Sequence, residues 1–126
     1  MAVILSVEDS RINQMMLTER LQMRGYDVLQ AFDGEEALDI IKSDKTIELV
    51  LLDIGLPKKD GLEVAKEVVE SREFNGLPIV FLTAHATVEY RDKAAQLGIN
   101  DFFTKPIDFK SLFLRIDKIL ANIDHG

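Results

Sequence analysis

The stretch "IELVLLD", residues 47 to 53, is the most continuous apolar run of the chain. From Leu49 to Leu52 no polar residue interrupts it, so the run predicts a β-strand that is buried on both faces. Strands of this kind are typical of parallel sheets that are covered by helices. The run ends at Asp53, whose carboxylate would be costly to bury without a partner.

Strand-like and helix-like segments alternate on both sides of this run. Asp33 is followed by Glu36 and Asp60 by Glu63, which are capping signatures that predict helices from Gly34 and after Asp60. Three further helices are predicted from apolar spacing: Ile12, Met15, Met16 and Leu21 closed by Gly25; Tyr90, Ala94 and Leu97 closed by Gly98; and Phe109, Leu112, Phe113, Ile116, Ile119 and Leu120. The other strands are predicted at residues 3–7, 26–32, 77–83 and 100–104. Five strand–helix units predict an α/β fold with a parallel sheet and helices on both faces.

Composition limits the class of protein. A chain of 126 residues with 47% hydrophobic residues fits one domain over residues 1–126, with a frayed tail at about 122–126. The formal charge of −7 argues against a nucleic-acid partner, and the lack of cysteine excludes disulfides and thiolate metal sites. No apolar run approaches the roughly 20 residues of a membrane span. We therefore expect a cytoplasmic protein with no membrane or nucleic-acid partner.

Polar side chains follow four of the predicted strands at the edge where ligands bind in open parallel sheets. Glu8 and Asp9 end the first strand, Asp53 the third and Thr83 the fourth, and Lys105 follows the fifth. Oxygen ligands without nearby His or Cys favour a hard cation such as Mg²⁺, and a lysine suits a phosphate. A carboxylate can itself be a nucleophile that forms an aspartyl phosphate, and Asp53 is the central candidate.

The motifs "VEDS" (7–10), "LLDIGLPKKDG" (51–61), "FLTA" (81–84) and "FFTKP" (102–106) resemble the receiver domain of two-component response regulators, in particular single-domain chemotaxis regulators. The resemblance extends over essentially the whole chain. It implies a doubly wound (βα)5 flavodoxin-like three-layer sandwich with strand order 2-1-3-4-5.

The resemblance also implies roles for individual residues. Glu8, Asp9 and Asp53 would hold Mg²⁺, or Mn²⁺ as a substitute, together with the backbone carbonyl of Gly55. Asp53 would accept the phosphoryl group, and Thr83 and Lys105 would contact its oxygens. A cis peptide bond between Lys105 and Pro106 would aim the lysine inward.

The implied function is that of a signalling protein rather than a metabolic enzyme. It would take a phosphoryl group from a phosphohistidine on a sensor histidine kinase or a histidine phosphotransfer protein. It would also catalyse its own phosphorylation from small donors and its own dephosphorylation. Movement of Thr83 would let Phe102 turn inward, which would change the face formed by the fourth helix, the fifth strand and the fifth helix for a downstream protein that the sequence does not identify.

Four positions depart from the family pattern or carry alternative interpretations. Glu8 stands where the family commonly has Asp, and Phe102, where Tyr is common, is equally well explained as a core residue. Gly55 and His85 flank the phosphorylation site in the family and are possible modulators of the phosphoryl lifetime. We hypothesise that His85 alters hydrolysis, the alternative being a solvated loop histidine.

Other classes of protein lack their signatures or stay open. A haloacid-dehalogenase-like phosphatase requires a second Asp where Gly55 stands, and a flavodoxin requires a Ser/Thr/Gly-rich loop where this chain has "VEDSRIN" (7–13). A degenerate receiver that acts as a phosphorylation-independent interaction module stays open. So does a receiver from a hybrid kinase, which Asn13 favours, whereas the initial methionine favours a stand-alone protein.

Overall fold

The computed structural model describes residues 2–74, 76–84 and 86–122. Within them, five strands alternate with five α-helices. The elements are β1 (Val3–Val7), α1 (Arg11–Met23), β2 (Asp27–Ala31), α2 (Gly34–Ser43), β3 (Ile47–Leu52), α3 (Gly61–Glu70), β4 (Ile79–Thr83), α4 (Val88–Gln96), β5 (Phe102–Thr104) and α5 (Phe109–Ala121), with a short 3-10 helix (Arg72–Phe74) after α3.

The five strands form one sheet in the order β2-β1-β3-β4-β5, and all neighbouring strands are parallel. The predicted doubly wound α/β fold is therefore confirmed. In β3, Leu49 to Leu52 are each at most 1% exposed. Leu49 and Leu51 pack against α1 and α5, whereas Val50 and Leu52 pack on the opposite side against α2, α3 and α4. The run that predicted the sheet is thus buried on both faces.

The two predicted capping signatures are also present. The side chain of Asp33 accepts a hydrogen bond from the backbone N–H of Glu36 at 2.8 Å, and the Glu36 carboxylate accepts one from the N–H of Phe32 at 2.6 Å. Asp60 accepts from the N–H of Glu63 at 2.9 Å. The bonds to Asp33 and Asp60 satisfy donors that a helix leaves unpaired at its first turn, and the bond to Glu36 holds the residue that precedes the cap.

Helix α1 was predicted correctly, but not all the apolar residues that predicted it are buried. Leu21 is buried, whereas Ile12, Met15 and Met16 are 67%, 54% and 47% exposed. The buried face consists of Gln14, Leu17, Thr18 and Leu21. Hydrophobicity alone misplaces this face because two polar side chains, Gln14 and Thr18, find hydrogen-bond partners in the interior.

Some element boundaries differ from the predicted ones. β2, β4 and β5 are each two residues shorter than predicted. Asn122 caps the end of α5, and the remaining tail residues that were predicted to fray, 123–126, lie outside the described residues. In the part of the chain that the structure describes, no helix has both the length and the apolar character needed to cross a membrane.

Candidate functional site

Strand register places the first two acidic positions side by side. Val7 at the end of β1 is the register partner of Leu52 at the end of β3, and the N–H of Asp53 donates to the carbonyl of Val7 at 3.2 Å. Glu8 and Asp53 each follow these paired residues directly. The carboxyl ends of two adjacent parallel strands therefore deliver two carboxylates to one point.

Asp9 completes an acidic cluster with Glu8 and Asp53. One carboxylate oxygen from each of the three lies within 4.8 Å of the others. Glu8 and Asp53 are 5% and 7% exposed, whereas Asp9 is exposed at the rim. Three carboxylate oxygens suit a small hard divalent cation, which takes some of its ligands from the protein and the rest from water.

Lys105, which directly follows β5, contacts the same cluster. Its Nζ lies 2.5 Å from Oε1 of Glu8 and 3.0 Å from Oδ2 of Asp53. The lysine backbone is held by a hydrogen bond from its N–H to the carbonyl of Thr83 at 3.0 Å, and the bond to Pro106 is cis. When all are ionised, three carboxylates and one ammonium leave two negative charges, which one divalent cation would neutralise.

Burial and pairing act against each other on the titrating groups. Burial raises the pKa of Glu8, and hydrogen bonds from Lys105 and from the N–H of Ser10 only partly oppose it. Burial by itself lowers the pKa of Lys105, but its hydrogen bonds to Glu8 and Asp53 outweigh burial and leave the pKa raised. Lys105 is therefore a stable cation at neutral pH.

Thr83 and Gly55 lie beside this cluster. Thr83 ends β4 and is fully buried. Leu52, which precedes Asp53, is the register partner of Phe81 on β4. Thr83 follows Phe81 by two residues, so it lies at the same edge of the sheet. The exposed Gly55 donates its N–H to Oδ1 of Asp53 at 3.3 Å.

Phe102 lies on β5 in contact with two other elements. It is half-buried, its ring centroid is 5.8 Å from that of Phe81, and the guanidinium of Arg91 from α4 stands 4.7 Å above it. The ring thus links the core of the sheet to α4. His85, the other predicted modulator beside Gly55, lies outside the described residues.

Sequence reasoning missed two residues that shape this site. Gly61, the first residue of α3, approaches Asp53 so closely that a Cβ there would lie 2.1 Å from the Asp53 carbonyl oxygen. Gln14 is fully buried and hydrogen-bonds to the end of β1. The glycine directly after the cap Asp60 was a usable signal for close approach. A glutamine within a predicted helix gave no comparable signal.

Comparisons with known proteins agree with this geometry. The sequence pattern of the response regulator receiver domain matches residues 4–117. The chain is 40% identical over 121 residues to the probable transcriptional regulator ycf27 of Porphyridium aerugineum, covering 96% of this chain and 49% of that protein. It is 38% identical over 117 residues to the transcriptional regulatory protein CpxR of Escherichia coli K12, covering 93% and 48%.

Solved structures match as well. The response regulator protein TrrA of Thermotoga maritima, in complex with Mg²⁺-BeF, superposes with a TM-score of 0.81 at 34% identity, covering 94% of this chain and 99% of that one. The chain spans about half the length of the two curated relatives named above.

Proposed function

Because the chain belongs to the receiver domain family of response regulators, we propose that Asp53 accepts a phosphoryl group from a phosphohistidine of a sensor histidine kinase or a histidine phosphotransfer protein. The observation that carries this proposal is the convergence of Glu8, Asp9, Asp53 and Lys105 at one edge of the sheet. Asp53 directly follows β3, the central strand of the sheet.

The reaction would be an in-line displacement on phosphorus. A carboxylate oxygen of Asp53 attacks, the bond from phosphorus to the histidine nitrogen breaks, and its electron pair stays on the imidazole. Lys105, already in contact with Asp53, would neutralise charge on the transferred oxygens, and the Thr83 hydroxyl would donate to one of them. Attack by water on the same phosphorus would later release phosphate and restore the Asp53 carboxylate.

The acidic cluster would hold Mg²⁺, or Mn²⁺ in its place, through Glu8, Asp9 and Asp53, with the carbonyl of Gly55 as a further ligand. Three oxygen donors within 4.8 Å of one another support this assignment. When bound, the ion would supply charge neutralisation for the phosphoryl oxygens.

The signal would leave through the face formed by α4, β5 and α5. A contact of Thr83 with the new phosphoryl group would open space beneath the start of the following loop, and Phe102 would turn into it. The half-buried position of Phe102, between Phe81 and the Arg91 guanidinium, supports two arrangements of this ring. A downstream protein would bind one arrangement better and so read the phosphorylated state.

We assign a protein target rather than nucleic acid to the chain itself. Its formal charge of −7 disfavours contact with phosphate backbones.

The two hydrophobic clusters share the strands of one sheet, which supports a single domain over residues 1–126.

The test is phosphorylation by acetyl phosphate with Mg²⁺, read by intact mass. Wild type, Asp53→Ala and chelated wild type are compared. We expect one added phosphoryl group in the wild type, and none in either control. No adduct together with no Mg²⁺ binding by calorimetry would refute the proposal and favour a phosphorylation-independent interaction module.

A further inference from the structure

We propose that Gln14 is a positioning residue for the acidic cluster. Its buried carboxamide holds the loop that carries Glu8 and Asp9 against the ends of β1 and β2, and so sets the affinity of the cluster for a divalent cation. The inference rests on the cation site proposed above. Gln14 touches neither the carboxylates that would bind the cation nor the position of the phosphoryl group, so it would act on the site only through the backbone.

The carboxamide of Gln14 is fully buried and its hydrogen-bonding capacity is fully used. Nε2 donates to the carbonyls of Ser6 at 2.9 Å and Ala31 at 3.0 Å, and it lies 3.5 Å from the carbonyl of Glu8. Oε1 accepts from the hydroxyls of Ser6 at 2.6 Å and Thr18 at 3.4 Å. Two donors and one acceptor oxygen therefore meet partners on β1, β2 and α1.

The same bonds reach the loop of the acidic cluster. The carbonyl of Ala31 that accepts from Gln14 also accepts the backbone N–H of Glu8 at 3.0 Å. The Glu8 carboxylate in turn accepts the N–H of Ser10 at 2.9 Å, and Ser10 caps the helix that carries Gln14. Residues 8–10 are thus held at the Glu8 end by the Ala31 carbonyl that the Gln14 carboxamide also binds. At the Ser10 end they are held by the backbone N–H of Gln14, which donates to the Ser10 carbonyl at 2.8 Å.

Packing alone does not explain a glutamine at this position. Leu17 and Leu21 on the same face of α1 show that apolar side chains fill this layer. A methionine has nearly the same length and would not require an amide to leave water. A satisfied buried polar network specifies one arrangement, so the hydrogen bonds of Gln14 set the distance between the loop and the two strand ends more narrowly than apolar contacts would.

The test is the Mg²⁺ affinity of Gln14→Met, measured by calorimetry on the unphosphorylated protein. We expect the dissociation constant to rise about tenfold, the lower end for partners that orient metal ligands. The half-saturating Mg²⁺ concentration for phosphorylation by acetyl phosphate should rise by the same factor. The maximal rate at saturating Mg²⁺ should stay within about twofold, because the reacting groups are unchanged.

Two further variants separate positioning from general stability. Ile116→Val shortens a buried side chain of α5 that belongs to the α1–α5 side of the core, and should leave the Mg²⁺ affinity unchanged. Ser6→Ala removes the 2.6 Å bond that orients Oε1 of Gln14, and should weaken Mg²⁺ binding about threefold. Ser6→Ala decides the question if Gln14→Met does not fold.

The outcomes distinguish this inference from the proposed function. Wild-type Mg²⁺ affinity in both Gln14→Met and Ser6→Ala would overturn the positioning role and leave the cation site intact. A lower binding stoichiometry at unchanged affinity would also overturn it, because that result reports a smaller folded fraction. Absence of Mg²⁺ binding in the wild type would overturn the cation site itself, and the positioning role with it.

Discussion

Gly61→Ala should disable phosphorylation of Asp53 although residue 61 bears no reactive group. Gly61 begins α3, and its N–H donates to the carbonyl of Ile54 at 2.8 Å. An added Cβ would lie 2.1 Å from the carbonyl oxygen of Asp53 and 2.8 Å from its carbonyl carbon. Both neighbours are backbone atoms, so no side-chain rotation can relieve the contact.

The size of the effect follows from the distance. Contacts of a Cβ below 3.0 Å are essentially never observed, so residue 61 and the Asp53 backbone must separate by about 0.9 Å, and we expect Asp53 to move. Overpacking of this kind costs about 1–3 kcal/mol of stability. A displacement of about 1 Å in a reacting group costs on the order of 100-fold in rate. We therefore expect both a lower melting temperature and a rate of phosphorylation reduced by about 100-fold.

The assay is the initial rate of phosphorylation by acetyl phosphate at saturating Mg²⁺, followed by intact mass. Gly98→Ala is the matched control. Gly98 has φ +81° and no heavy atom within 4 Å of an added Cβ, and it follows the end of α4 that lies away from the acidic cluster. Alanine in that conformation costs about 1–2 kcal/mol, so stability falls comparably without contact to Asp53.

A Gly61→Ala rate within about threefold of wild type, at a temperature where both variants are folded, would contradict the reasoning. It would mean that α3 moves away and leaves Asp53 in place. Equal loss of rate in Gly98→Ala would contradict it in another way, since stability rather than the position of Asp53 would then control the reaction.

Three further predictions concern single side chains. Lys105→Met should bind Mg²⁺ about tenfold more tightly by calorimetry, because a positive charge beside two carboxylates is removed. The same variant should be phosphorylated about 100-fold more slowly, and an unchanged rate would exclude a role for the amine. Arg91→Met should lose about 0.5–1 kcal/mol in urea unfolding and shift the NMR signals of the Phe102 ring, whereas unchanged ring signals would contradict the cation–π contact. Burial, and then the hydrogen bond to Asp117, raise the pKa of Tyr26 to about 12. The contribution of the neutral Tyr26 phenol to folding stability is therefore fully present below pH 10 and is lost as the pH rises to about 12. Asp117→Asn should bring that pKa closer to 10 in an NMR titration, and an unchanged value would mean that burial alone raises it.

The sheet and the edge that carries the site were predictable because parallel architecture leaves little freedom. A strand buried on both faces at Leu49 to Leu52 requires helices on each side, and alternating patterns supplied them. Once all strands point one way, the residues that follow them meet at one edge. Glu8, Asp53 and Lys105 were therefore predictable as neighbours from the sequence, and they are in contact in the structure.

The residues that support the site were not predictable in the same way. The apolar spacing of Ile12, Met15 and Met16 predicted the helix α1, but the structure exposes these three side chains and buries Gln14 and Thr18 instead. A pattern of hydrophobicity measures the cost of burying a side chain, but it does not see partners that are distant in sequence and cancel that cost. The carbonyl of Ala31, 17 residues from Gln14, is such a partner.

The most direct measurement of the central claim is chemical mapping of the phosphorylated residue. Protein that has reacted with acetyl phosphate is reduced with borohydride, which converts an aspartyl phosphate to homoserine, and the digested peptides are sequenced by mass spectrometry. We predict homoserine at position 53 alone, and only when Mg²⁺ is present during phosphorylation. Homoserine at position 9 or at another aspartate, with Asp53 intact, would contradict the assignment of Asp53 as the phosphoryl acceptor.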